Sequence, residues 1–127
     1  MKKSFKKMLF PCLGMFVTTL VVANSFTVPN PPKRPNVINI TATSCTLTYE
    51  EPYDGGSPIT GYLIEGKGGW LTRWKKMGVT SELQHKVTGI VEGSKMQFRV
   101  SAGNIAGMSK PSKPTALMEF TDPVRPY

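Results

Sequence analysis

Reactive side chains are sparse in this chain. His85 is the only histidine, and Cys12 and Cys45 are the only cysteines, so no histidine metal cluster, two-histidine relay or zinc site can be assembled from them. His85 alternates with Leu83 and Val87, which places its ring inward or at a sheet margin as a packed imidazole; the alternative is a pH switch. Gly66, Gly68 and Gly69 in EGKGGW could suggest a phosphate cradle. Such a loop follows a buried strand and opens a helix, however, and here it opens a strand near Trp70, so a flexible hairpin loop is expected. Asn39-Ile40-Thr41 forms a glycosylation sequon, meaningful only in the secretory pathway. Trp70, Arg73, Lys75 and Lys76 are the candidate protein-contact residues, because exposed tryptophan beside cations is enriched on recognition surfaces, and the lysines could meet an acidic partner. Trp74 between them is expected to pack onto a sheet and serve the fold. No catalytic constellation emerges, and no cofactor is implied.

The elements that carry these residues follow from composition. The formal charge of the 127 residues is +8, but Lys2, Lys3, Lys6 and Lys7 all precede the first acid, Glu50, and without them 12 basic residues face 8 acidic ones. That excess lacks the concentrated stripe that nucleic-acid binding requires. Residues 1–25 join this basic start to an apolar run, Met8 to Ala23, and to the small residues Ala23-Asn24-Ser25. Three accounts stand: a cleaved secretory leader, an uncleaved membrane anchor, or a stretch foreign to the natural product. A membrane partner follows only from the second. Pro29, Pro31, Pro32 and Pro35 make residues 26–35 a stiff connector; residues 121–127, with Pro123 and Pro126, resume that chemistry. Connectors at both ends are expected of one bead in a string. With Cys12 in the leader, Cys45 has no partner in the body, which suits a reducing compartment better than a secreted one.

Between the connectors, over 36–120, the hydrophobic period is two. Cys45, Leu47 and Tyr49 alternate with threonines; Tyr62 and Ile64 alternate with Leu63 and Glu65; Phe98, Val100 and Ala102 alternate with Gln97, Arg99 and Ser101. Further strands are expected at Val37–Ile40, Leu83–Val87, Trp70–Lys76 and Ala116–Phe120. Nothing offers a long amphipathic helix. The expectation is an all-β fold, a seven-stranded antiparallel immunoglobulin-like β-sandwich.

These residues resemble the fibronectin type III family across roughly residues 32–122. Pro35 and Val37 match its proline-led first strand, Leu47 and Tyr49 its Leu-x-Trp, and Tyr62 and Ile64 its Tyr-x-Val. Ile90, Gly93, Met96, Phe98, Val100, Ala102 and Asn104 follow its Leu-x-x-Gly-x-x-Tyr-x-Phe-x-Val-x-Ala-x-Asn pattern, and Gly107, Ser109, Pro111 and Ser112 its ending. The resemblance makes Leu47, Tyr49, Tyr62, Ile64, Trp74, Ile90, Met96, Phe98 and Val100 the core-defining residues. Two positions depart from the pattern. Tyr49 replaces the usual tryptophan and brings a hydroxyl that needs a partner. Met96 replaces the tyrosine of the corner between the fifth and sixth strands, which removes a hydrogen bond worth on the order of 1 kcal/mol.

DGGSPITGYLIE with the following Trp74, VTGIVEG and the closing Asp122-Pro123 look like modules of the striated-muscle giant filament proteins, the titin, twitchin and myosin-binding protein group. That group implies a non-catalytic spacer and docking unit of the thick filament, cytoplasmic in the sarcomere, whose partners are myosin or neighbouring immunoglobulin and fibronectin domains. The alternative, favoured by the leader and by Asn39, is a secreted or membrane-tethered adhesion or receptor module. The Arg-Gly-Asp and Trp-Ser-x-Trp-Ser motifs of some extracellular members do not occur.

Overall fold

The computed structural model describes residues 25–123; the leader, but for its last residue, and most of the C-terminal connector lie outside them. The described chain is all-β, with strands β1 (Asn36–Ile38), β2 (Cys45–Thr48), β3 (Gly61–Gly68), β4 (Leu71–Thr80), β5 (Gln84–Val87), β6 (Lys95–Asn104), β7 (Gly107–Met108) and β8 (Met118–Glu119). They form two antiparallel sheets. One runs β1-β2-β5; the other runs β4-β3-β6-β7, with β8 also paired to β6. Since β7 and β8 lie on the same edge of β6, they are two pieces of one interrupted seventh strand.

Alternation builds the core. Cys45 and Leu47 of β2 and Val87 of β5 meet Tyr62 and Ile64 of β3 and Phe98, Val100 and Ala102 of β6, with Tyr49, Ile90, Met96 and Phe120 closing the ends. Phe98 and Phe120 meet edge to face, 6.1 Å between ring centres at 90°, the geometry favoured by the ring quadrupoles. The hydroxyl of Tyr49 donates to the carbonyl of Glu82 at 2.7 Å, so this smaller aromatic is buried without an unpaired polar atom.

Trp74, expected in the core, lies instead half-buried on the outer face of the larger sheet. The inward positions of β4 belong to Leu71 and Met77, which pack against the core, and the even-numbered Trp74 and Lys76 therefore point the other way. The EGKGGW glycines also differ from the loop expected of them. Gly66 and Gly68 are strand residues of β3, paired with Phe98 and Met96 of β6. Only Gly69 and Trp70 form the turn into β4. Gly68 has φ 134°, and a Cβ there would come within 2.1 Å of the carbonyl oxygen of Lys95, so only glycine fits this approach of hairpin to β6.

Two segments are held in ways the strand pattern does not suggest. The proline-rich stretch after residue 25 is strapped to the body. Thr27 donates its N–H to Gly55 and Asn30 to Tyr53, both at 3.0 Å. Asn104 donates to the carbonyls of Thr27 at 2.8 Å and Asp54 at 2.7 Å, while its own oxygen accepts from Ala106. On the other edge, between β7 and β8, the chain runs Ser-Lys-Pro-Ser-Lys-Pro-Thr along β6. Ser109, Ser112 and Thr115 donate their N–H groups to Ala102, Val100 and Phe98, and their side-chain oxygens accept from the N–H groups of those same three residues at 3.0 Å each. Each hydroxyl then donates to the carbonyl of the residue that follows it. A period of three, as in a polyproline II segment, thus satisfies the edge of β6 in place of an ordinary ladder.

Candidate interaction surfaces

The expected contact residues do not form one patch. Trp70 sits at the tip of the β3–β4 hairpin, 86% exposed, because a two-residue turn leaves a side chain no neighbour to pack on. Lys75 stands opposite Gly66 in the register, on the inward-facing side of β4 beyond the smaller sheet. With Trp70 it lines a crevice of about 280 Å³ floored by Leu71, Met77, Ile90 and Met96 and bounded by the turn carrying Val91 and Ser94. Arg73 shares that side of β4 by alternation. Lys76 belongs to the opposite face, where it is paired across the sheet with Glu65.

That outer face is a second surface. The Arg99 guanidinium lies 4.3 Å from the centre of the Trp74 ring, and the Lys67 ammonium 5.8 Å from it. Arg99 is fixed by Glu65, Nε to Oε1, at 2.8 Å. Lys67, Glu65 and Arg99 occupy outward positions of β3 and β6, and Trp74 and Lys76 those of β4, so three cations and one carboxylate share this face with one indole. The stacking and the ion pair each stabilise the arrangement by about 0.5–1 kcal/mol at such partly exposed positions. The result is an aromatic platform of net positive charge.

The remaining candidates sit where packing puts them. Asn39 is exposed in the turn after β1 with φ 53°, a conformation asparagine tolerates. His85 is half-buried on β5, and a Cβ added to Gly78 of β4 would come within 2.4 Å of its Nε2; the imidazole fills the space above that glycine. Cys45 is a free, buried thiol, and desolvation pushes it up to about 11. Among the described residues no three His, Cys, Asp or Glu side chains converge as metal ligands.

Sandwich, strap and edge define an immunoglobulin-like β-sandwich module. The model of the fibronectin type III domain matches residues 30–117, and the chain belongs to that family. It is 40% identical over 88 residues to cardiac-type myosin-binding protein C of Mus musculus, a match covering 67% of this chain and 7% of the relative, and 38% identical over 91 residues to the human fast-type protein, covering 69% and 8%. Among solved structures, domains A168–A170 of titin superpose with a TM-score of 0.73 at 36% identity, covering 76% of this chain and 34% of that one. The twitchin kinase region of C. elegans gives 0.73 at 30% identity, covering 80% and 18%. The chain spans less than a tenth of the length of the curated relatives it matches.

Proposed function

We propose that this chain is a non-catalytic structural and protein-binding module, a spacer and docking unit of a multi-domain protein of the muscle thick filament, cytoplasmic in the sarcomere. Its similarity to myosin-binding protein C and titin supports the setting. The docking role rests on the outer face of β4-β3-β6, where Trp74 is held under Arg99 and beside Lys67 with Lys76 next to Glu65. A rigid indole among cations fits an acidic protein surface, such as a myosin rod, and positive charge raises the rate of encounter. Fibronectin or immunoglobulin neighbours meet other parts of the module.

Co-sedimentation with purified myosin filaments tests the docking role. Replacing Lys67 and Lys76 by glutamate should lower the bound fraction several-fold at only a small cost in melting temperature, since Lys76 is exposed and Lys67 gives up only its contact with Trp74. Binding that survives the double replacement removes this face from the proposal. A second reading, a secreted or membrane-tethered module, is favoured by one observation: Asn39 of the sequon is exposed in a turn, where a glycan could be attached. Intact-mass measurement on protein from native tissue separates the readings, because secretion would remove the leader and allow a glycan at Asn39.

A further inference from the structure

We infer that the docking face receives an acidic α-helix lying along β3, with one apolar side chain seated in a glycine-floored groove at the end of the face away from Lys67. The inference rests on the docking role proposed for the outer face of β4-β3-β6 and specifies what that face binds. Gly61 of β3 stands opposite Gly103 of β6, on the same side of the sheet as Leu63, Glu65 and Arg99 by alternation. Val79 of β4, paired with Leu63, and Met108 of β7, paired with Gly103, rise on either side of the two glycines. They are 59% and 49% exposed and bound a hollow of about 480 Å³. The fold does not require glycine at position 61. Gly61 has no positive φ, and a Cβ there would lie 3.7 Å from the nearest heavy atom, an ordinary contact. A glycine inside a strand weakens it, and where the backbone does not call for one it marks a close approach from outside. At Gly103 a Cβ would come within 2.5 Å of the Met108 sulfur, so a flexible thioether covers the second glycine and can swing to fit an incoming group.

The kind of occupant follows from the face. Since β3 and β6 are interior strands, the face presents no free backbone edge; an extended segment laid on it would leave its own N–H groups unpaired, whereas a helix bonds its own. Val79 and Met108 stand on strands three spacings apart, about 14 Å, which admits a helix about 10 Å across. Charge then sets the sign. Lys76 and Arg99 are level with Glu65 in the register, and Lys67 lies two residues further along β3. From the middle of the groove these rows are about 10 Å and about 16 Å away along the strand, distances that a helix covers in about 7 and about 11 residues. Residues so spaced share one stripe of a helix, so an apolar side chain followed at those intervals by acids reaches the groove and the cations together. A second copy of this chain would bring the same three cations and single carboxylate to the contact, which like-charge repulsion disfavours.

Co-sedimentation with purified myosin rod, used as the acidic helical probe, tests the assignment. Gly61→Val fills the groove from a strand position that suits a β-branched residue, and should lower the bound fraction several-fold while the melting temperature holds or rises. Val79→Ser removes an exposed wall and should lower binding too, which keeps the test decisive if the valine disturbs the strand. Relative to the parent, both losses should persist as salt is raised, because apolar contact is not screened, whereas the loss on replacing Lys67 and Lys76 by glutamate should shrink. Parental binding by Gly61→Val and Val79→Ser, beside a loss in the lysine variant, overturns the groove and leaves the docking face intact. Parental binding by all three variants, or a parent that does not sediment with the rod, overturns both. A parent that dimerises in analytical ultracentrifugation, with Gly61→Val restoring the monomer, names a second copy as the occupant and overturns the helix.

Discussion

Asn104 shows how much one polar side chain can hold. It is buried at the end of β6, it joins the strap to the loop after β2 through two donated bonds, and its oxygen caps the turn into β7. No charge or aromatic payload marks it; its value lies in placing one donor pair between two carbonyls that have no other route to each other. Asn104→Ala should therefore destabilise the module by about 2 kcal/mol, since each of the two lost bonds to partly buried carbonyls costs about 1 kcal/mol. Hydrogen exchange at Thr27 and Asn30 should accelerate far more than exchange in β3, which urea titration and exchange measured on one sample would show together. Retained protection at Thr27 would mean the backbone bonds hold the strap unaided. Residue identity in the core was readable from alternation, as at Leu47, Ile64, Phe98 and Val100. The side on which Trp74 falls was not, because an edge strand that overhangs the smaller sheet has two half-exposed faces, and the periodicity alone cannot choose between them.

At the scale of elements, the strands whose alternation is clean, β2, β3 and β6, were legible because each is flanked by turn residues and buries every second side chain. β4 runs on to Thr80, past the expected Lys76, since pairing with β3 continues through a bulge near Met77 that breaks the pattern. The strap was not legible, as its bonds run from Thr27 and Asn30 to residues far along the chain, Gly55, Tyr53 and Asn104, and join partners with no local signature. The Ser-Lys-Pro repeat is the instructive case. Written out, SKPSKPT announces a period of three, yet strand reasoning looks for two. Its prolines, Pro111 and Pro114, donate nothing, so the outward side of this edge offers a poor template for another strand. Ser112 occupies the middle of the repeat, and its Oγ is the acceptor for the buried N–H of Val100. Ser112→Ala should cost about 1–3 kcal/mol, the penalty for leaving that donor unpaired, whereas Ser112→Thr keeps the oxygen and should cost much less. Chemical denaturation of both variants separates the two accounts; equal losses would show that shape, and not the hydroxyl, is what the edge requires.

The whole molecule is organised by its two ends. Entry is strapped to Tyr53 and Gly55, Phe120 is fastened to Ser94 at the other end, and β6 runs between them over about 30 Å, so both ends of the described chain are held by bonded backbone. This demands a core that opens only as a unit, which alkaline titration can reveal. Burial pushes the Cys45 thiol from 9.0 up to about 11. It pushes the Tyr49 phenol from 10.0 up to about 12, desolvation leading, with Tyr62 and Glu82 adding to it; Tyr62 is raised in the same way. A folded-state value above the unfolded one means the native protein binds the proton more tightly, so the stabilisation is complete below pH 9 and declines as pH rises. For Cys45 the decline falls between 9.0 and about 11, and for Tyr49 between 10.0 and about 12. Unfolding free energy measured in urea across this range should slope downward. Cys45→Ala should flatten the lower part of the slope and Tyr49→Phe the upper part, even though each also lowers the plateau, the first by removing a packed sulfur and the second by breaking the bond to Glu82. Slopes indistinguishable from the parent in both variants would mean that these groups ionise without unfolding, through local opening of the sandwich. The ends would then be far less firmly oriented than their hydrogen bonds imply.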